Sequence, residues 1–184
     1  MEAKLGSVVR IKKIMVRNLE KAAAKVEDPS VLTNNWEEIV NDPDIDIIIE
    51  LMGGIEPART CILEALEAGK HVVSANKDLI AVYGKELLDT AETHQVDFLF
   101  EAAVAGGIPI IRPLKQCLAG NHMKEVMGIV NGTTNFILTK MTQDKMEFKE
   151  ALALATELGY AEADPTADIE GLDAGRKVAI LASV

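Results

Sequence analysis

The residues best suited to chemistry form an acidic stretch that leads into a lysine near the end of the chain. Four carboxylates come from Glu162, Asp164, Asp168 and Asp173, and Lys177 follows the last by four positions. That spacing places Asp173 and Lys177 on one helix face in the favourable acid-before-base order. The carboxylates could orient a substrate ammonium, and the lysine could donate a proton to a carbonyl under reduction. A solvated acidic loop with a surface ion pair explains the same pattern, so both interpretations stay open.

Two short segments that follow predicted strands could contact a ligand. Gly53 and Gly54 end an apolar run and would let a backbone approach a ligand closely. Ser74, Asn76 and Lys77 offer a hydroxyl, an amide and an ammonium at the strand end where parallel sheets bind ligands. An ordinary glycine turn and a solvated lysine at a helix start are the alternatives.

Glu101 lies beside a turn of small residues that contains Gly106 and Gly107. One carboxylate with backbone carbonyls is a plausible shell for a hard cation of low charge. A carboxylate that accepts hydrogen bonds from nearby N–H groups is an equally acceptable interpretation.

Short β-branched runs alternate with amphipathic helices, which predicts an α/β fold with a doubly wound, Rossmann-like parallel sheet. The strand 46–51 is nearly continuously apolar, so we expect cover on both faces. A boundary near residue 108 separates residues 1–108 from residues 109–184, the latter part of an α+β domain. Predicted strands are 8–16, 46–51, 71–74, 96–101 and 125–130; predicted helices are 19–26, a capping-box helix from Asn35 and Glu38 to Val40, 57–68, 76–94 with a break near Gly84, 110–119, 136–141, 147–158 and 172–184; loops are 131–135 and 162–170.

Composition restricts the classes of function. The 184 residues are 48% hydrophobic and 26% charged, enough for a folded core and too apolar for disorder. No apolar run reaches the length of a membrane span and no secretory signal is visible, so we expect a soluble, cytoplasmic chain without membrane partners. The net charge of −10 and 4% aromatic content disfavour nucleic acid. Cys61 and Cys117 are predicted to be buried, reduced thiols outside any disulfide or metal site.

A dinucleotide-binding unit would open with a strand, a G-x-G-x-x-G turn and a helix. That motif does not occur in the sequence. Either the chain does not bind a dinucleotide, or it is a fragment without its first βα unit.

Five segments together resemble homoserine dehydrogenase, in order and with the family's spacing. The resemblance extends from about Val8 to Val184, and the fourth and fifth segments are long and specific. In chain order, the five segments are IIIELMGGIEPA, AGKHVVSANKDLIA, FEAAVAGGIPIIRPLKQCLAGN, GIVNGTTNFILTKM and ELGYAEADPTADIEGLDAGRKVAILAS.

The resemblance implies an enzyme that reduces aspartate 4-semialdehyde to homoserine with NADPH or NADH, a step toward threonine, methionine and isoleucine. Complete members are expected to be homodimers or tetramers. The matching residues are, by role, Lys177 and Lys77 in catalysis; Glu162, Asp168 and Asp173 in substrate binding; Gly53, Gly54, Ser74, Lys77 and Gly132 beside the cofactor; and Glu101 with the carbonyls of Val104, Gly106 and Ile108 in a monovalent cation site, usually sodium.

The chain also departs from the family. The first strand, glycine loop and helix are missing, and the family's catalytic region continues beyond Val184. We therefore expect poor cofactor binding, little activity and an exposed sheet edge in this chain alone. Arg17 follows the second strand, where an arginine suits the 2′-phosphate of NADP, and the choice between NADP and NAD stays open. The alternatives are a non-catalytic module that retains the fold and the dehydrogenase part of a chain fused to an aspartate kinase.

Overall fold

Short strands alternate with helices through the first half of the chain in the computed structural model, which describes residues 6 and 8–184. Strands β1 (Ile14–Met15) and β2 (Leu32–Thr33) pair in parallel, with Ile14 opposite Leu32. Helix α1 (Leu19–Ala23) connects them, and the Asn18 side chain caps its first turn by accepting the Lys21 N–H. A three-residue 3-10 turn, Pro29–Val31, leads into β2.

A second sheet has the strand order β3-β4-β5 and provides the carboxyl ends that position the candidate site. The strands are β3 (Ile47–Glu50), β4 (His71–Ser74) and β5 (Phe98–Leu99). The short helix α2 (Glu37–Val40) precedes β3, and α3 (Ala58–Glu67) and α4 (Lys77–Thr93) are the crossovers between successive strands. The prediction of an α/β fold with parallel sheets is confirmed.

The second half is helical. Helices α5 (Gly132–Gln143) and α6 (Phe148–Glu157) pack around Ile137, Ala151 and Ala155, and Ala161 completes this small core. Helices α7 (Thr166–Ile169) and α8 (Leu172–Ser183) follow. Gly159, just after α6, has φ of 78°, the left-handed conformation that ends a helix at little cost in glycine.

The expectation that 46–51 is covered on both faces is wrong for this chain. Alternate residues Ile47, Ile49 and Leu51 are exposed, whereas Glu50 is buried. Because side chains of a strand alternate between faces, β3 is covered on one face only. Its continuous apolar character is therefore not matched by continuous burial.

Three other strand predictions are corrected because pairing depends on a partner. In place of 8–16, only Ile14–Met15 forms a strand, since β2 is itself two residues long. In place of 96–101, β5 is Phe98–Leu99, and a 3-10 turn at Glu101–Ala103 follows. Residues 125–130 form no strand with any described residue, and Val126, Met127 and Ile129 are exposed.

Helix α4 is continuous through Gly84, so the predicted break is wrong. Leu79 and Ile80 before the glycine and Leu87 and Ala91 after it are all buried. Burial of that face outweighs the cost of about 1 kcal/mol for glycine inside a helix.

Two local motifs also differ from the prediction. Glu38 does not complete a capping box; it forms an ion pair with Lys13, while the Asn35 side chain accepts the Glu37 N–H. The predicted helix 110–119 contains a π-helical turn at Pro113–Cys117. Cys61 is buried as predicted, but Cys117 on that turn is exposed, and both are free thiols.

The described chain divides into two compact units. The first contains the described residues up to Glu50 together with Glu56–Val73 and Glu86–Phe98; the second contains Leu51–Ile55, Ser74–Lys85 and Leu99–Val184. All groups of the candidate site discussed below lie in the second unit. Within the described part of the chain, none of the helices has the length and apolar character required to cross a membrane.

Candidate active site

Asp173, in the first turn of α8, connects the two candidate catalytic lysines. Its Oδ2 accepts a hydrogen bond from Lys177 Nζ at 2.6 Å, as the four-residue spacing predicts. Its Oδ1 lies 3.2 Å from Nζ of Lys77 at the start of α4. Asp173 is buried and both lysines are partly accessible, so two ammonium groups meet on one sheltered carboxylate.

Asn131 connects the same carboxylate to the acidic segment. Its Nδ2 donates to Asp173 Oδ2 at 2.9 Å and to Asp168 Oδ1 at 2.7 Å. Its Oδ1 accepts the backbone N–H of Thr134 at 2.8 Å and so caps α5. Because of this cap the helix begins at Gly132, and the predicted loop 131–135 and later helix start are corrected.

The carbonyl before Asn131 contributes as well. Val130 O accepts a hydrogen bond from Lys177 Nζ at 2.6 Å. The lysine therefore has two acceptors, which fix the direction of its ammonium group.

The turn after β3 and the start of α4 are joined by Asn76. Its Nδ2 donates to Gly54 O at 2.6 Å, and its Oδ1 accepts the Leu79 N–H at 3.2 Å as a helix cap. Ser74 is fully buried, and its Oγ accepts the Asn76 N–H at 3.0 Å. These bonds set where the first turn of α4, and hence Lys77, begins.

Gly53 and Gly54 have φ of 72° and 71°, a region that residues with a Cβ rarely adopt. A Cβ at either position would meet no atom within 4 Å. The turn therefore presents open backbone beside Asn76, as a close approach by a ligand requires. The same open space surrounds Gly132 at the start of α5.

A second ion pair runs alongside the lysine contacts. Arg176 NH1 on α8 lies 3.0 Å from Asp78 Oδ1 in the first turn of α4. Two ion pairs therefore connect α4 and α8: in one the cation, Lys77, is on α4, and in the other the cation, Arg176, is on α8. They hold the start of α4 against the first half of α8.

The charge of Asp173 is set by competing effects. Burial by itself raises the pKa of this carboxyl, but hydrogen bonds from Lys177, Asn131 and Lys77 outweigh it, so the pKa lies below its usual range. Asp173 is thus an ionised carboxylate that holds two cations.

The turn at Glu101 has features of both interpretations considered above. The Glu101 carboxylate accepts the backbone N–H groups of residues 110–112 at 2.5, 2.9 and 2.8 Å. Desolvation raises the pKa of Glu101, and these three bonds outweigh it, so the pKa is lowered. The carbonyl oxygens of Val104, Gly106 and Ile108 accept no hydrogen bond from other described residues. Across the described residues, no group of three or more His, Cys, Asp or Glu side chains could hold a metal ion.

The structure therefore joins four predicted residues, Lys77, Asp168, Asp173 and Lys177, in one network. Glu162 is exposed and does not join it. The predicted loop 162–170 contains α7, and Asp164 Oδ1 accepts the backbone N–H of Thr166, the first residue of that helix, at 3.1 Å. The sequence analysis missed Asn131, Asp78 and Arg176; the Asn-Gly-Thr-Thr pattern, typical of a helix cap, was the signal available for the first.

Comparisons with known proteins point to one family. Residues 2–101 match the family model for the NAD-binding domain of homoserine dehydrogenase, and residues 109–184 match the model for homoserine dehydrogenase itself. The chain is 54% identical over 180 residues to a homoserine dehydrogenase of Synechocystis and 52% identical over 178 residues to that of Bacillus subtilis. These alignments cover 98% and 97% of this chain but 42% and 41% of the relatives.

Solved structures give the same result. A homoserine dehydrogenase from Thiobacillus denitrificans superimposes with a TM-score of 0.87 at 50% identity, covering 94% of this chain and 40% of that one. A hyperthermophilic archaeal homoserine dehydrogenase in complex with NADPH has a TM-score of 0.77 at 34% identity, covering 88% of this chain and 51% of that one.

The fold and the match over residues 2–101 define the class: these residues form a Rossmann-like, NAD-binding type of domain. Both family matches name the same enzyme and together account for most of the sequence. The chain belongs to the homoserine dehydrogenase family. It spans about 40% of the length of the curated relatives it matches.

Proposed function

We propose that this chain supplies the lysine-bearing active site of a homoserine dehydrogenase, which reduces aspartate 4-semialdehyde to homoserine with NADPH or NADH. The observation that carries the proposal is the pairing of Lys77 and Lys177 on the buried carboxylate of Asp173. An aldehyde reduction needs a proton donor and positive charge where the alkoxide develops. Two oriented ammonium groups meet both needs.

The roles of the chain's own residues follow from their contacts. Lys177, held by Asp173 and Val130, donates the proton to the substrate oxygen. Lys77 adds positive charge beside that oxygen. Asp168 uses one carboxylate oxygen for Asn131, so its other oxygen is available to the substrate's α-ammonium, and Glu162 adds a second carboxylate.

The residues present fit a nicotinamide cofactor on one side of this cluster. The cofactor would contact the open backbone at Gly53 and Gly54, together with Asn76, Lys77 and Gly132. Ser74 would position Asn76, whose backbone N–H it accepts. When bound, the cofactor supplies the hydride to the aldehyde carbon. The archaeal neighbour, solved in complex with NADPH, supports an assignment to NADP, with NAD as the alternative.

The turn from Glu101 to Ile108 fits a monovalent cation such as sodium. Glu101 would supply carboxylate oxygen, and Val104, Gly106 and Ile108 would supply carbonyl oxygens, which accept no hydrogen bond from another described residue. Hard cations of low charge prefer oxygen ligands of this kind. The ion would fix the turn that follows β5.

The setting proposed for the enzyme follows from the family. It would act in the cytoplasm in the synthesis of threonine, methionine and isoleucine, as a homodimer or tetramer. Its small-molecule partners would be aspartate 4-semialdehyde and homoserine, without nucleic acid or membrane.

The test is oxidation of NADPH in the presence of aspartate 4-semialdehyde. It is run on this chain and on a chimera in which the Bacillus subtilis relative supplies the segments that the chain does not cover. We expect turnover by the chimera. A chimera that folds but turns over no substrate would contradict the proposal and favour a non-catalytic module.

A lysine variant assigns the proton donor in the same chimera. Lys177→Met is expected to lower kcat by about 100- to 10,000-fold because general acid catalysis contributes that much. Lys140→Met is the matched control, since Lys140 also pairs with an aspartate four residues away but on the exposed face of α5. Similar kcat values for the two variants would remove Lys177 from its proposed role.

A further inference from the structure

Asn131 is the only described side chain that bonds to both Asp168 and Asp173. Its amide nitrogen donates to the two carboxylates, and its amide oxygen accepts from Thr134, whose hydroxyl also lies 2.7 Å away. The side chain is almost fully buried, and its amide hydrogen-bonding capacity is used on both sides. It has no freedom to turn without losing several bonds at once.

We propose that Asn131 is a positioning residue, which holds the Asp168 and Asp173 carboxylates apart from each other. It orients Asp168 toward the substrate's ammonium group and Asp173 toward the two lysines. The inference rests on the proposed function for its catalytic consequence. Its structural part, the coupling of the two carboxylates through one amide, does not depend on that function.

The physical reason is charge. Two carboxylates that share a sheltered site repel each other, and one of them then tends to take up a proton. An amide N–H₂ group placed between them donates one hydrogen to each, which lowers that repulsion and fixes both planes. A hydroxyl has only one hydrogen and cannot do this for two acceptors.

The charged groups around Asp173 set what a change at Asn131 would do. Lys77 faces it from α4, Lys177 from its own helix, and Asp168 from α7 across the Asn131 amide. The Asp78–Arg176 pair lies alongside. If the amide is replaced by a third carboxylate, both N–H donors are lost and one negative charge is gained, so we expect the pKa of Asp173 to rise.

Asn131→Asp separates positioning from helix capping. Aspartate caps a helix as well as asparagine does, so α5 keeps its first turn, while the donor between the carboxylates becomes an acceptor. Asn131→Ser is the second variant, which keeps a cap and removes the double donor without adding charge. Asn35→Asp is the control for the same substitution elsewhere: the Asn35 side chain also accepts a backbone N–H, from Glu37 two residues on, and Asn35 lies in the first unit.

The first measurement uses this chain and needs no activity. Carboxyl carbon resonances of aspartate, followed by NMR against pH, report the pKa of Asp173, assigned with Asp173→Asn. We expect Asn131→Asp to raise this pKa by about one unit or more, and Asn35→Asp to leave it unchanged. An unchanged Asp173 pKa in Asn131→Asp, with the chain folded, would overturn the inference.

The second measurement uses the active chimera. For both Asn131 variants we expect KM for aspartate 4-semialdehyde to rise about tenfold or more, as the loss of hydrogen bonds to charged groups implies. For Asn131→Asp the acidic limb of the pH profile of kcat/KM should also move to higher pH. A loss of thermal stability with KM and the pH profile unchanged would make Asn131 merely structural, and the inference would be wrong.

The two hypotheses fail separately. A chimera without dehydrogenase activity contradicts the proposed function, while the NMR result still decides the role of Asn131. Conversely, an active chimera with no response in either readout retains the function and removes the positioning role.

Discussion

The carboxylate of Asp173 is almost fully buried and accepts hydrogen bonds from three groups. Since Oδ2 serves Lys177 and Asn131 and Oδ1 serves Lys77, Asp173 acts mainly by orienting the lysines. Asp168 lies nearer to solvent and has one oxygen that accepts no hydrogen bond from another described residue. It is therefore the better candidate for direct contact with a substrate ammonium.

Asp173→Asn tests this arrangement through stability and its dependence on pH. Because the folded pKa of Asp173 is lowered, its ionisation stabilises the fold above the unfolded pKa, near 4, and that contribution is lost as the pH falls through the folded value. We expect the variant to lower the free energy of unfolding by about 1–3 kcal/mol near neutral pH, with a difference that narrows below about pH 4. Urea unfolding across this pH range measures it.

Asp144→Asn is the control for the same chemistry on the surface. Asp144 pairs with Lys140 on α5, and its side chain is 47% exposed. Pairs of this kind contribute little, so the variant should change stability by less than about 0.5 kcal/mol. Equal effects of the two variants, or an Asp173→Asn effect that does not change with pH, would contradict the assignment.

The sequence predicts this site as far as local spacing reaches. Asp173 and Lys177 are four residues apart on one helix, so their contact follows from helix geometry alone. Asn131 is 37 and 42 residues from its two carboxylate partners, and no periodicity connects positions so far apart. Long-range partners of this kind require the packing of α5, α7 and α8 to be known.

At the scale of elements, helices with a local stop were predicted well, and strand β4 has the predicted bounds 71–74. The strand predictions 8–16, 96–101 and 125–130 were wrong in whole or in part. Helices α3, α6 and α8 end or begin close to the expected residues because Gly69, Gly159 and Gly171 adopt positive φ at their boundaries. A strand exists only where a neighbour supplies hydrogen bonds, and the sequence of a segment does not contain that neighbour. Residues 125–130 illustrate this: they have strand character but form no ladder with described residues.

Gly84→Ala tests the continuity of α4. The glycine is helical, and an added Cβ would lie 3.5 Å from Ile80 Cγ2, which is ordinary contact. Alanine is better than glycine in a helix, so we expect a gain of about 0.5–1 kcal/mol, seen as a higher Tm. Gly159→Ala is the opposite case, because φ there is 78°, and it should lower the Tm. A lower Tm for Gly84→Ala would point to a break in α4.

At the scale of the whole molecule, the main feature is an apolar sheet face that this chain does not cover. Ile47, Ile49 and Leu51 alternate along the edge strand β3 with their side chains exposed, and Leu99 on β5 is exposed as well. Contiguous exposed apolar residues on an edge strand favour pairing with another chain. β3 lies at one end of the strand order in the described three-stranded sheet, and the exposed edge expected from the sequence stays a prediction.

Ile49→Lys should reduce self-association of the chain because a charge on an edge strand opposes pairing. Sedimentation velocity at several concentrations measures the share of larger species. Leu138→Lys is the control, since Leu138 is 60% exposed but lies singly on α5. If both variants associate as the unchanged chain does, association does not proceed through β3.

The contacts that define the site have a consequence for the order of events during folding. The hydrogen bond from Lys177 to Val130 spans 47 residues, and the ion pair between Lys77 and Asp173 closes a still longer loop. Because long loops lose more chain entropy on closure than short ones, such contacts form after the local helices. During synthesis, Lys77 at the N-terminal end of α4 therefore cannot pair with Asp173 until α8 has left the ribosome. Over that interval the helices before α8 can be present while the contact between Lys77 and Asp173 is still absent.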